Sequence, residues 1–116
     1  MNSKFTFKKS EHLTRPKQFK QCLKDGRRYS TSNLTVVTLP NALTFSRLGL
    51  VVSRRVGSAV IRNQWKRKLR EYFRLRKHRL KTSCDIVMMV RPGRNVVPHL
   101  ELLKNEIQSS LIEKNQ

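Results

Sequence analysis

The sequence predicts an α+β fold: a small, mostly antiparallel mixed sheet packed with three helices, in the order αβ(β)βαβα. Three observations carry that prediction. Apolar, β-rich runs of strand length occur at residues 34–39, 45–53 and 85–90. Apolar residues recur at helical spacing in three further segments, beginning near residues 14, 59 and 98. Around Gly57 the period changes from that of a strand to that of a helix within a few residues. At 116 residues the chain is expected to form one domain, residues 1–116, with a single modest core.

Taken in order, residues 1–12 are polar and basic, with Phe5 and Phe7 alternating. They form either a short edge strand or an extended tail laid on the body. Thr14 is placed to cap the first helix, and Pro16 fits its first turn. Phe19, Cys22 and Leu23 follow at i, i+3 and i+4, and Gly26 is expected to stop the helix as a C′ residue. Residues 27–32 are a basic connection with room for one short strand. The run LTVVTL at 34–39 is a strand closed by Pro40 and Asn41. With the strand at 45–53 it is expected to make an antiparallel hairpin across residues 40–44. Ser58 caps a long helix that starts at Ala59. The run DIVMMV at 85–90 is apolar enough for a strand buried on both faces. Pro98 opens a last helix with Leu100, Leu103, Ile107 and Leu111 on one face, and residues 113–116 are expected to fray.

Charge narrows the function. The chain carries 26 Lys and Arg against 7 Asp and Glu, a net +19. On the long helix, Ile61, Trp65, Leu69, Tyr72 and Phe73 share one arc, while Asn63, Lys66, Arg67, Arg70, Arg74 and Lys77 share the next. A solvated face mixes signs. Between Arg54 and Lys81 there are instead twelve cations and one acid, Glu71. Such a stripe repels itself unless a polyanion neutralises it, so it points to RNA or DNA. No segment approaches the roughly 18 uninterrupted apolar residues of a spanning helix, so no membrane partner is expected.

Catalytic groups are not expected. The seven acids are scattered, with no pair at the spacing of a two-metal carboxylate site. His12, His78 and His99 stand apart, and no Gly-rich phosphate loop occurs. Cys22 and Cys84 lack metal-ligand spacing and read as reduced, buried side chains of a cytoplasmic protein. The cations predict phosphate contacts with little sequence discrimination, and no DNA-reading motif is present, so no DNA specificity is expected. Phe19 fits either a core position or a surface on which a single-stranded base stacks.

The stretch at 49–73, GLVVSRRVGSAVIRNQWKRKLREYF, resembles the hallmark segment of the protein component of bacterial ribonuclease P. The pattern is a glycine-led strand, Ser with two basic residues, Val-Gly, a small N-cap, then an R-N-x-x-K-R-x-x-R helix. The resemblance extends over roughly residues 7 to 112, including Leu13 to Gly26 and Asp85 to Gly93. It implies an accessory subunit whose partners are a catalytic RNA subunit and precursor tRNA. The RNA, with Mg²⁺ held largely by RNA, would remove the 5′ leader. It also implies that Arg54, Arg55, Arg62, Asn63, Lys66, Arg67 and Arg70 bind the RNA subunit, that Phe19, Leu23 and Val37 line a leader cleft, and that the βαβ crossover is left-handed, against the usual rule. Three positions depart from the family. Gln64 stands where Arg is usual, outside the basic arc, and Leu23 and Val37 stand where aromatics are frequent. A ribosomal-protein-like structural RNA binder would share the charge and fold class; the ordered S-R-R-V-G-S and R-N-x-x-K-R-x-x-R segments set this chain apart from it.

Overall fold

The computed structural model describes residues 7–80 and 82–110. Its seven main elements are α1 (Pro16–Asp25), β1 (Arg27–Ser30), β2 (Leu34–Pro40), β3 (Arg47–Val51), α2 (Ala59–Arg76), β4 (Cys84–Val90) and α3 (Leu100–Ser110). The order αβββαβα is the expected one, with the optional strand at 27–30 present. Short 3₁₀ turns precede α1 and α2 and follow α2.

The strand β4 lies inside the sheet, whose order is β1-β2-β4-β3. It pairs antiparallel with β2, from Leu34 opposite Val90 to Pro40 opposite Cys84. It pairs parallel with β3, from Arg47 opposite Asp85 to Val51 opposite Met89. The expected hairpin between residues 34–39 and 45–53 is therefore not formed. A continuous apolar run must be covered on both faces and both edges, and β4 takes the interior place between β2 and β3. The α2 helix is the crossover of the parallel β3-α2-β4 unit.

Helices cover both faces. On one, Leu34, Val36, Leu48, Ile86 and Met88 meet Trp65, Leu69, Tyr72 and Phe73 of α2 and Leu103 and Ile107 of α3. On the other, Val37 and Val87 are covered by Leu13 and Cys22, with Phe19, Leu23, Val51 and Met89 packed around them. The second cluster is smaller because α1 has only 10 residues. Cys22 and Cys84 are buried, free thiols.

Two helix ends differ from expectation. Arg15, not Thr14, occupies the N-cap of α1; it makes no side-chain cap, and Pro16 supplies the preset first-turn backbone. Gly26 is extended, with φ −76° and ψ 161°, rather than left-handed. Its lack of a side chain serves close approach instead. A Cβ there would lie 2.5 Å from the Cys22 carbonyl oxygen and 2.6 Å from Val37 Cγ1. Glycine thus lets α1 turn straight into β1 over β2. The last helix begins at Leu100, two residues after Pro98.

Candidate nucleic-acid interface

The long helix presents its two arcs as the sequence spacing requires. Trp65 and Leu69 are fully buried, and Tyr72 and Phe73 nearly so. Asn63, Arg67 and Arg70 are exposed, and Arg62 and Lys66 are half-buried. The turn before the helix holds this face in place. Val56 is buried at the end of the 3₁₀ turn Arg54–Val56, while Arg54 and Arg55 point outward as exposed residues. The Gly93 amide donates to the Arg55 carbonyl at 2.9 Å. Ser58 caps α2 by accepting from the Ile61 amide at 3.3 Å. Arg62 Nε donates to the Gly57 carbonyl at 3.3 Å, which ties that guanidinium to the turn. Trp65 Nε1 donates to the Arg94 carbonyl at 2.7 Å, so the helix also anchors the Arg-Pro-Gly-Arg loop.

Asn63, Lys66, Arg67, Arg70 and Arg74 line one concave strip along α2, with Glu71 and Phe7. Among the described residues, none of Arg54, Arg55, Arg62, Lys66, Arg67 and Arg70 forms an ion pair. Lys77 does. It pairs with Glu11, whose carboxylate also accepts the Lys8 amide at 2.7 Å, and the Lys77 side chain is only 12% exposed. Lys77 therefore leaves the open cationic stripe on which its helical position placed it. Gln64 is exposed and lies off the concave strip, as its helical angle indicates.

A second concavity adjoins the first. Phe7, His12, Leu13, Thr14, Phe19, Leu48, Gly49 and Leu50 line it, and Lys66 and Arg70 close it from α2. Phe19 is half-buried, with its ring seated on the backbone of Gly49, so it is both packed and accessible from this groove. Leu23 and Val37 belong to the same apolar cluster as Phe19. Val37, however, is fully buried. It supports the floor under α1 and presents no surface to a ligand, which corrects its expected place in the cleft lining. The three residues are thus brought together, with Phe19 on the groove.

The arm before α1 carries residues that sequence reasoning named but did not place at the site. The Leu13 amide donates to the Leu48 carbonyl at 2.9 Å, and His12 bridges to Leu48 in parallel fashion. Phe7 stacks on His12 with ring centroids 3.9 Å apart and planes at 17°. It also meets Phe73 edge-on at 5.3 Å. From residue 7 onward the arm is therefore laid on the body; Phe5 and residues 113–116 lie outside the described residues. The one available signal was a pair of aromatics in a basic segment, and no periodicity told where they would land. Burial, then the Arg70 charge, lowers the pKa of His12 below its ordinary value, while Glu11 works weakly the other way.

Among the described residues no three His, Cys, Asp or Glu side chains gather as a metal site. No helix among the described residues is long and apolar enough to cross a membrane.

A mixed sheet with helices on both faces, a cationic helix face on which Arg62, Lys66, Arg67 and Arg70 form no ion pair among the described residues, and a groove with an aromatic at its floor together define a small RNA-binding protein. The family model described as Ribonuclease P matches residues 7–113. The ribonuclease P protein component of Syntrophus aciditrophicus (strain SB) is 38% identical over 101 residues, covering 87% of this chain and 85% of the relative. That of Syntrophobacter fumaroxidans (strain DSM 10017 / MPOB) is 37% identical over 105 residues, covering 90% and 88%. Two solved structures share the fold. The RNase P protein of Staphylococcus aureus has a TM-score of 0.78 at 26% identity, covering 92% of this chain and 95% of its own. That of Thermotoga maritima has a TM-score of 0.78 at 28% identity, covering 90% and 96%. The chain belongs to the ribonuclease P protein family, the protein subunits of the endoribonuclease that matures the 5′ ends of tRNA.

Proposed function

We propose that this chain binds a catalytic RNA subunit through the turn at Arg54 and Arg55 and the face of α2 bearing Arg62, Asn63, Lys66, Arg67 and Arg70. In this reading it binds the leader of precursor tRNA in the groove beside Phe19. The observation that carries it is that Arg54, Arg55, Arg62, Lys66, Arg67 and Arg70 form no ion pair among the described residues although the fold has formed around them. Two polyanions that must approach each other repel, and fixed cations between them replace part of the ionic screening that free Mg²⁺ would supply. The phosphodiester cleavage itself belongs to the RNA, with Mg²⁺ held mainly by RNA ligands. The protein's share is to bring substrate and RNA together, with the leader extended over the sheet.

Cleavage of precursor tRNA with and without a cognate RNA subunit, across a Mg²⁺ series, tests this. The protein is expected to leave precursor intact by itself and to lower the Mg²⁺ concentration at which the RNA cleaves. An unchanged Mg²⁺ requirement in the presence of saturating protein would refute the proposal.

A further inference from the structure

The stacked rings of Phe7 and His12 stand where the two concavities meet. Phe7 lines both, and both share Lys66 and Arg70. We propose that this ring pair is a stacking platform for one base of the precursor's leader, whose adjoining phosphates are held by Lys66 and Arg70. This extends the leader's path from Phe19 across Gly49 and Leu50 toward α2, and it rests on the function proposed above.

The rings are half-exposed, yet the segment that carries them is fixed at several points. Leu13 is hydrogen-bonded to Leu48, Glu11 is buried against Lys77, and Phe7 rests edge-on against Phe73. An aromatic surface held this firmly loses little conformational freedom when a base settles on it. Any base offers a π-face, so a platform of this kind accepts leaders of any sequence. The positions of the cations fit the same ligand. Lys66 and Arg70 are one helical turn apart on α2 and line the same groove as the rings, which sets two cations beside the path of a stacked nucleotide's backbone. Burial and the neighbouring Arg70 favour the neutral form of His12, so its ring adds stacking surface and leaves the phosphates to the cations. Packing alone explains the inner contact of Phe7 with Phe73. It does not explain why a second ring is stacked on Phe7 at the mouth of a cationic groove.

The test uses the assembled complex of protein, catalytic RNA and precursor tRNA. 4-Thiouridine is placed at single positions along the leader in one set and in single-stranded segments of the catalytic RNA in another. Crosslinked peptides are then mapped. The proposal expects a leader position to crosslink to Phe7 or His12 of the unaltered protein. Crosslinks to these residues from the catalytic RNA alone, or from neither set, would overturn it. In parallel, Phe7→Leu keeps an apolar contact with Phe73 but removes the stacking ring. It is expected to weaken binding of leader-bearing precursor by roughly 5- to 150-fold, the range for losing one stacked base, with mature tRNA unaffected and Phe7→Trp restoring affinity. Equal losses for both RNAs, or none, would overturn the assignment. Should Phe7→Leu fold poorly, the crosslinks of the unaltered protein decide. Normal leader removal by a complex lacking these crosslinks would refute the platform alone, whereas failure of the unaltered protein to lower the Mg²⁺ requirement would refute the underlying function.

Discussion

The contact between Gly49 and Phe19 gives a sharp test of how the groove is built. A methyl group at Gly49 would sit 2.5 Å from Phe19 Cε2, 3.0 Å from Cζ and 3.2 Å from the Leu13 carbonyl oxygen. Carbon atoms rest at about 3.5–4.0 Å, so in Gly49→Ala the ring must retreat by about 1 Å. The Leu13 carbonyl needs to yield only a few tenths of an ångström. Overpacking a closed core costs about 1–3 kcal/mol, but this ring is half-exposed and can swing toward solvent, which favours the lower end. Replacing glycine within a strand returns about 0.5–1 kcal/mol. The net loss of stability is therefore expected to stay within about 1 kcal/mol. Leader affinity should suffer more. A displaced Phe19 forfeits much of the roughly 1–3 kcal/mol that one stacked base contributes. Affinities for precursor and mature tRNA, measured with urea denaturation on the same variants, separate these effects. The decisive comparison is a double-mutant cycle. In a Phe19→Ala background no ring remains to be displaced, so Gly49→Ala should add little further loss in leader affinity. Additive losses, or wild-type leader affinity in Gly49→Ala, would refute the assignment of Phe19 to the groove.

Three further outcomes are expected. Replacing Lys66, Arg67 and Arg70 together by Ala should flatten the dependence of log K on log salt by about 0.7–0.9 per lost phosphate contact, with the melting temperature little changed; an unaltered slope would mean that the stripe meets only water. Trp65→Ala should cost about 3–5 kcal/mol in urea denaturation, because it empties a fully buried site and orphans the Arg94 carbonyl; a loss under about 1 kcal/mol would contradict the burial. Cys22 and Cys84 should resist iodoacetamide at pH 8 until the protein unfolds. Burial, with the Asp85 carboxylate second, pushes Cys22 up to about 11, and burial raises Cys84 as well, so little thiolate exists to react. Rapid alkylation of the native protein would count against both placements.

Much of the fold was legible because it is local. The change of period at Gly57, the Ser58 cap and the two arcs of α2 all depend on neighbours within a few residues, and each formed as read. The miss was strand pairing, which is non-local. Residues 34–39 and 45–53 are close in sequence, and a short loop between two strands suggests a hairpin. The contrary signal was present in DIVMMV, since a strand with no polar face belongs inside a sheet. That signal marks β4 as interior, while its neighbours β2 and β3 are set by non-local packing. The shared face of Asn63, Lys66, Arg67, Arg70 and Arg74 on α2 was legible for the same local reason. Lys77 was not, because its partner Glu11 comes from a segment 66 residues away. Val37 was expected in the cleft only through the resemblance, at a position where aromatics are frequent; its smaller side chain is fully buried with Leu13 and Cys22.

The distribution of the few acids explains how so basic a chain keeps a bare cationic face. Asp85 is buried and accepts a bidentate pair from Arg47, at 2.7 Å for each bond, and a third bond from Asn41 at 2.9 Å. It joins the starts of β3 and β4 to the loop after β2. Glu106 of α3 accepts from the side chains of Thr31 and Asn33 and from the Asn33 amide, tying the last helix to the β1–β2 turn. Glu11 ties the arm to the C-terminal end of α2 through Lys77. Each of these acids sits at a joint between segments distant in sequence, where a charged acceptor is stronger than a neutral one. Among the described residues none of the three pairs with Arg62, Lys66, Arg67 or Arg70, and Glu71 is the described acid that lines the strip. Clustered cations raise the free energy of the compact state through self-repulsion. A bound polyanion removes that repulsion and stabilises the fold by mass action. On the function proposed above, folding and RNA binding are thus coupled through the same residues: three of the seven acids are committed to the joints, and the stripe is left for RNA to neutralise.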